Sequence, residues 1–457
     1  MSERLLVVSN RTPKPGKVAA GGLAAALDGV LRKLGGLWAG WSGDFAEKPG
    51  APRQIDVSGL PIVHVDLSKA DHAQYYAGYS NSVLWPTFHM RPELARFHTD
   101  FWDGYQRVNQ QFADALLPLI QPDDLIWIHD YHMIPLGQFL RDRGVKNRIG
   151  FFLHIPFPTP EALAAIPHHR ELIGSLNAYD LVGLQAKRDV AALEDFASPI
   201  EFVRPRRSSG PLVPVTGVNA QVFPIGSDPE AFARMADLPA TRKTIATLRK
   251  SLADRKLILG VDRLDYTKGL PQRVEAYERL LADYPKHRRK VSFLQVAPVS
   301  RDTIAQYQEI TGNLDYQCGR VMGRFAEIDW QPLNYVKRAY GQATLAGLYR
   351  AARVGLVTPL RDGMNLVAHE YVASQDPEDP GVLVLSIFAG AAEILPDALL
   401  VNPYDADETA HAIDLALAMP LDERKERWVN LRRDIEKYNI TAWADDFLTA
   451  LRKAPRR

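Results

Sequence analysis

Short runs of consecutive apolar residues recur along the chain. Between them lie longer stretches whose apolar positions return every three or four residues. The runs Leu5–Val8, Ile62–Val65, Leu125–His129, Ile149–His154, Leu181–Leu184, Leu257–Val261, Val291–Val296, Val354–Thr358 and Val382–Leu385 predict strands. Their nearly unbroken apolar character is that of strands covered on both faces. The stretches Leu23–Leu34, Pro92–Leu119, Leu270–Asp283, Thr344–Arg353 and Leu366–Ser374 predict helices. Strand and helix in alternation predict an α/β fold with parallel sheets. A charged helical stretch, Glu230 to Arg255, follows the sequence PIGSDP at 224–229. It predicts a junction near residue 226, with domains at 1–225 and 226–439. The second domain then opens on Leu257–Val261 as the first strand of a fresh sheet. The amphipathic C-terminal segment 440–457 is expected to pack back on the first domain.

Composition narrows the function. A chain of 457 residues has room for about two or three domains. Its 55 Lys and Arg nearly balance 54 Asp and Glu, for a net charge of +1. That argues against a protein drawn to nucleic acid by charge. An anionic substrate stays open, because a few cations in a cleft suffice. Cys318 is the single cysteine, so an internal disulfide and a cysteine-rich zinc site are excluded. The apolar part of the N-terminus, Leu5 to Val8, is too short for a signal-peptide core. No stretch approaches the ~18 apolar residues of a membrane helix. The expectation is a soluble, cytoplasmic protein.

Common catalytic signatures are missing: there is no P-loop, no GxGxxG after the first strand and no GxSxG elbow. His129, Asp130 and His132 resemble a metal set. Side chains alternate along a strand, however, so 130 and 132 are expected on one side and 129 on the other, which favours a buried polar site over a metal. Polar residues do gather at strand ends: Asn10 and Arg11, Asp130 and His132, His154, Arg263 with Asp265 and Lys268, Arg301, and Arg361 with Asp362. Parallel sheets bind ligands beyond the carboxyl ends of their strands. Two such sheets facing one another would line a single cleft with these groups.

The set has a chemical meaning. Arg11, Arg263, Lys268 and Arg301 suit phosphoryl groups. Asp130, Asp362 and Glu370 suit sugar hydroxyls as acceptors. Trp41, Tyr76 and Trp85 suit apolar sugar faces or a lid, and Trp85, just before Pro86, equally suits the core. The sharpest segment is RDGMNL at 361–366. Gly363 permits an unusual backbone angle or close ligand approach, and a helix then begins near Asn365 or Leu366, an anion site for a diphosphate. Glu370 lies eight residues past Asp362, roughly 9–12 Å along a helix. A nucleotide sugar fits that ruler. Gly21 and Gly22 hold a similar place in the first half.

Several strings resemble one family closely: SNR at 9–11, AGGL at 20–23, WAGWSG at 38–43, VLWPTFH at 83–89, WIHDYH at 127–132, GFFLHIPFPTP at 150–160, VDRLDYTKGL at 261–270 and LVTPLRDGMNLVAHE at 356–370. In this order, over essentially the whole chain, they resemble the trehalose-6-phosphate synthases of glycosyltransferase family 20. The resemblance implies the GT-B fold, two Rossmann-like parallel-sheet domains with an active-site cleft between them. It implies transfer of glucose from a nucleoside diphosphate glucose, typically UDP-glucose, to glucose 6-phosphate with retention, giving α,α-trehalose 6-phosphate. It also implies that no metal or other cofactor is needed. Arg263 and Lys268 would grip the donor diphosphate and Glu370 the ribose. Gly22, His154, Asp362, Gly363, Met364, Asn365 and Leu366 would contact the donor glucose and diphosphate. Arg11, Trp41, Tyr76, Asp130 and Arg301 would hold glucose 6-phosphate, with Trp85 beside them. Arg263, Lys268, His154 and Asp362 are the expected catalytic set.

Two positions depart from the family. Gln342 stands near a place where arginine is common, which bears on donor choice. His369 stands where lysine is frequent, and solvent exposure is expected there. Expected partners are the two substrates, a second copy of the chain, and a separate phosphatase acting on the product; neither nucleic acid nor membrane is expected. Two alternatives share the motifs: a glucosylglycerol-phosphate synthase, told apart by its acceptor, and a silent sugar-phosphate sensor, told apart by binding without turnover.

Overall fold

Each of the nine apolar runs forms a strand, and among the described residues five further strands join them. The computed structural model describes residues 3–13, 27–32, 35–47, 52–197, 217–299 and 305–457. The chain divides into two compact units, Met1–Pro224 together with Thr441–Arg457, and Ile225–Ile440.

The first unit is built on β1 (Leu5–Arg11), β2 (Gly36–Trp41), β3 (Arg53–Val57), β4 (Leu60–His64), β5 (Leu125–His129), β6 (Arg148–Phe152), β7 (Leu181–Leu184) and β8 (Ala220–Val222). Their order is β3-β4-β2-β1-β5-β6-β7-β8. Only the edge pair β3–β4 is antiparallel. The second unit carries β9 (Lys256–Val261), β10 (Val291–Val296), β11 (Leu333–Val336), β12 (Val354–Val357), β13 (Val382–Ser386) and β14 (Leu399–Val401). Its order is β11-β10-β9-β12-β13-β14, parallel throughout. In both sheets the chain order reverses beside the first strand, at β1/β5 and at β9/β12. Open α/β sheets bind ligands at such reversal points, beyond the carboxyl ends of the strands.

Both sheets are buried through their central strands: β5, β7, β12 and β13 are buried at every position. The helix Ile440–Lys453 belongs to the first unit from Thr441 onward. Trp443 and Phe447 from this helix meet Trp127 of β5 at ring distances of 4.8 and 4.7 Å. Strand glycines make room for it, since a Cβ at Gly150 or Gly183 would stand 2.8 Å from the Phe447 ring.

Two helical expectations change. The stretch Pro92–Leu119 is not one helix. A short turn at Pro92–Leu94 gives way to extended chain at His98, and the helix proper is Thr99–Leu116. The charged stretch after residue 229 is two helices, Pro229–Asp237 and Pro239–Leu252. Pro239 lacks an N–H and holds Leu238 extended at ψ 140°, which breaks the run. His72–Leu84 is a π-helix, which no apolar period signals. The expected helix Leu23–Leu34 is described only at 27–32, where it is helical.

Candidate functional site

In the second unit, two loops at the β9/β12 reversal are clasped together. Asp265 is fully buried and builds the first, accepting from the Thr267 N–H at 3.1 Å, the Thr267 hydroxyl at 3.0 Å and the Tyr307 hydroxyl at 3.1 Å. Gly269 follows at φ 65° and starts the helix Leu270–Asp283. The Leu360 N–H donates to the Thr267 carbonyl at 2.8 Å, tying the second loop to the first. Lys268 Nζ reaches across and pairs with Asp362 Oδ2, each side chain 14% exposed. Arg263 is exposed at the mouth of the first loop.

The segment 362–365 is held from below by 388–391. Asp362 N–H donates to the Phe388 carbonyl at 3.2 Å, and Ala391 N–H to the Met364 carbonyl at 2.9 Å. A Cβ at Gly390 would stand 1.8 Å from the Gly363 carbonyl oxygen, so only glycine fits there. The left-handed residue is Asn365 (φ 87°) rather than Gly363. Asn365 can take that conformation because its side chain bonds locally. It caps the helix Leu366–Ser374 by accepting from Val367 N–H at 3.2 Å, and donates to Asp362 Oδ2 at 3.0 Å. One turn along that helix, Glu370 accepts from the Tyr349 hydroxyl at 3.0 Å. Burial lifts its carboxyl to about 7, and the tyrosine bond offsets part of that rise.

The group beneath these loops was not anticipated. Arg273, 1% exposed, sits at their base. It donates to Asp262 at 2.8 Å, Thr358 at 3.0 Å, Gln295 at 3.1 Å and the Lys268 carbonyl at 3.4 Å. Burial raises the Asp262 carboxyl, and the Arg273 charge opposes the rise. Arg273 reads as an ordinary amphipathic-helix residue, and its partners are scattered from 262 to 358.

In the first unit, residues at the β1/β5 reversal form a file of rings. Trp41 lies 5.0 Å from His72, His72 is stacked 5.0 Å from Tyr76, and Tyr76 is stacked 5.7 Å from His132. His132 contacts Tyr131 at 3.9 Å, and Tyr131 contacts Trp85 at 5.7 Å. Trp41, Tyr76 and Trp85 thus belong to one file, with Trp85 buried at its far end against His89. Exposed Arg11 lies over Trp41 at 5.3 Å. Burial and the Arg11 charge push the His72 imidazole down, and His72 itself was not anticipated.

Asp130 corrects the alternation argument. The strand ends at His129, and Asp130 turns sharply at φ 76° into a short turn at Tyr131–Met133. His132 therefore packs on Tyr76 rather than following a strand alternation. Asp130 Oδ1 accepts the His154 N–H at 3.1 Å, and its own N–H donates to Phe152 at 2.7 Å. His154 is partly exposed beside it. Among the described residues, no three His, Cys, Asp or Glu side chains gather as metal ligands would.

Two expected site residues, Gly22 and Arg301, lie outside the described residues. Gln342 is the exposed first residue of the helix Gln342–Ala351. The expectation for His369 is overturned: it is fully buried, and burial pushes its imidazole to about 4. The helix Leu366–Ser374 packs against the helices Pro229–Asp237, Gln342–Ala351 and Leu421–Lys437 and against β12 and β13. A helix covered on so many sides has little solvent face to offer.

With this geometry in view, the relatives give the class. The model of glycosyltransferase family 20 matches residues 3–453. A trehalose-6-phosphate synthase of Enterobacter sp. (strain 638) is 48% identical, over 99% of this chain and 96% of its own. A trehalose-6-phosphate synthase structure from E. coli bound with UDP-2-fluoro glucose superposes at TM-score 0.93 and 46% identity, covering all of both chains. A structure of the UDP-forming α,α-trehalose-phosphate synthase of Burkholderia xenovorans in complex with glucose 6-phosphate matches at TM-score 0.91 and 46% identity, over 98% of this chain and 100% of that one. The chain belongs to glycosyltransferase family 20. Its fold is of the α/β, GT-B type, with two mostly parallel sheets. Among the described residues no helix is long and apolar enough to cross a membrane.

Proposed function

We propose that the protein transfers glucose from UDP-glucose to glucose 6-phosphate with retention, giving α,α-trehalose 6-phosphate and UDP. The observation that carries this is the match to trehalose-6-phosphate synthases over the whole chain at nearly half identity. The charges of both loop systems support it.

Arg263 and Lys268 would take the diphosphate, together with the positive end of the helix Leu366–Ser374. Asp362 holds the ammonium until the donor arrives. Glu370 would accept from the ribose hydroxyls. His154 and the segment Asp362, Gly363, Met364, Asn365 and Leu366, with Gly22, would meet the donor glucose. Arg11 would meet the phosphate of glucose 6-phosphate together with Arg301, while the Trp41–Tyr76 file and Asp130 hold its sugar.

In the reaction the bond from the glucose anomeric carbon to the diphosphate breaks, and its electron pair leaves on the diphosphate. The anomeric hydroxyl of the acceptor forms the new bond on the same face. Its proton passes to a diphosphate oxygen, so retention needs no protein nucleophile. The cations act on the charge that develops on the leaving group, where such stabilisation is worth most. Replacing Arg263 or Lys268 with alanine is expected to cost roughly 10²-fold or more in turnover. Steady-state kinetics check this, and unchanged turnover in both variants would remove the leaving-group role.

The product is a phosphate monoester, so a separate phosphatase would have to act next. A cytoplasmic, homo-oligomeric enzyme completes the proposal.

A further inference from the structure

The ends of β5 and β6 bring two imidazoles together in an aromatic box. His129 is the last residue of β5 and pairs in register with Phe152, two residues before His154. His129 Nδ1 lies 3.1 Å from His154 Nε2. His129 is fully buried, with Trp127 at 4.6 Å and Trp443 at 6.2 Å. Phe152 and Trp443 also flank His154, at 4.7 and 5.9 Å. The second nitrogen of His129, Nε2, is buried without a partner.

Burial pushes His154 to about 3 and His129 well below its ordinary value. Both rings are therefore neutral, and each carries one proton. A single proton must lie between Nδ1 of His129 and Nε2 of His154, and either ring could supply it. If His154 supplied it, His129 would carry its own proton on Nε2, a buried N–H with nothing to accept it. The two flanking indoles, Trp127 and Trp443, have N–H groups that are themselves buried without acceptors. Such a box suits a lone pair at Nε2 better than a third orphaned N–H.

We propose that His129 is a positioning residue: by donating from Nδ1 it fixes His154 as the Nδ1–H tautomer, so that His154 meets the transferred sugar as a hydrogen-bond donor. The inference rests on the reading of His154 as a donor-sugar contact. The sugar hydroxyl that His154 meets must then accept, and its own proton is left for another partner. The His154 main chain is held separately by Asp130, so the imidazole pair controls the proton rather than the path of the chain.

The test uses the full-length protein labelled with 15N-histidine and a long-range 15N–1H correlation, with the His154 signals assigned from a His154→Gln variant. The proton of His154 is expected on Nδ1. In His129→Leu it is expected to move toward Nε2, with the donor KM raised about tenfold, the loss of one hydrogen bond. The glucose 6-phosphate KM should stay nearly unchanged. His129→Asn, which can offer an N–H near the place of Nδ1, should restore most of the donor affinity. A wild-type His154 protonated on Nε2 would overturn the proposal. So would a folded His129→Leu with wild-type donor kinetics. If that variant does not fold, the wild-type tautomer decides alone. Absence of transfer by the wild type would overturn the proposed function, and the tautomer would still decide the histidine coupling.

Discussion

Glu370 concentrates two demands in one carboxyl group. Its place on the Leu366–Ser374 helix suits ribose hydroxyls, and burial lifts it to about 7. A carboxylate accepts hydrogen bonds better than a neutral acid. Raising the pH from 6 to 8 should therefore lower the donor KM, and Glu370→Gln should flatten that dependence. Stability runs the other way. A carboxyl raised from 4.5 to about 7 on folding stabilises the fold relative to its ionised form below the unfolded value. That contribution is lost as pH rises through the folded value. Glu370→Gln should thus melt above the wild type at pH 8, with the difference closing toward pH 4.5. Donor kinetics and thermal melts across that range check both, and a Gln variant with the wild-type slopes would contradict them. Part of this scale was legible: Arg11, Lys268 and Asp362 stand near strand ends or helix starts that the chain itself announces, and Glu370 one turn into such a helix. His129, His72 and Arg273 were not, because their roles depend on partners that only folding brings to them, among them His154 for His129, Trp41 for His72 and Thr358 for Arg273. His369 was misjudged because lysine is frequent at its place in the family, although the helix around it is largely apolar.

Elements were legible where hydrophobic period dominates. The nine apolar runs became strands because sheets buried on both faces need unbroken apolar sequence. β2 escaped notice because GGLWAGW is punctuated by glycine. There glycine serves close approach: a Cβ at Gly36 would stand 2.2 Å from the Leu5 carbonyl. The π-helix His72–Leu84 has no period to read, yet it brings His72 and Tyr76 into the ring file. What fixes the second-unit loops to their sheet is the buried pair Arg273–Asp262, 0% and 3% exposed. Removing one partner of such a pair leaves a charge without compensation, at about 3–5 kcal/mol. Arg273→Leu should lose stability of that order at pH 7, and adding Asp262→Asn should restore part of it. Denaturant midpoints measure this, and an Arg273→Leu protein as stable as the wild type would contradict the account.

At the scale of the whole molecule, the chain ends in the unit where it begins. Phe447 is fully buried and fills the space left by Gly150 and Gly183. A Phe→Ala change in such a site costs about 3–5 kcal/mol. Phe447→Ala should speed amide exchange in β6 and β7, and unchanged protection there would contradict the packing argument. Both sheets place their first-strand loops at a reversal of strand order. Family membership and those two loop systems together lead to the central claim, a glucosyl transfer onto a sugar phosphate. It is tested most directly by an end-point reaction with a metal chelator present, offering glucose 6-phosphate with UDP-, GDP- and ADP-glucose and identifying the product by mass and NMR. The account predicts an α,α-linked disaccharide phosphate, formed best from UDP-glucose. Turnover of glycerol 3-phosphate in place of glucose 6-phosphate, or nucleotide binding with no transfer to any acceptor, would contradict it.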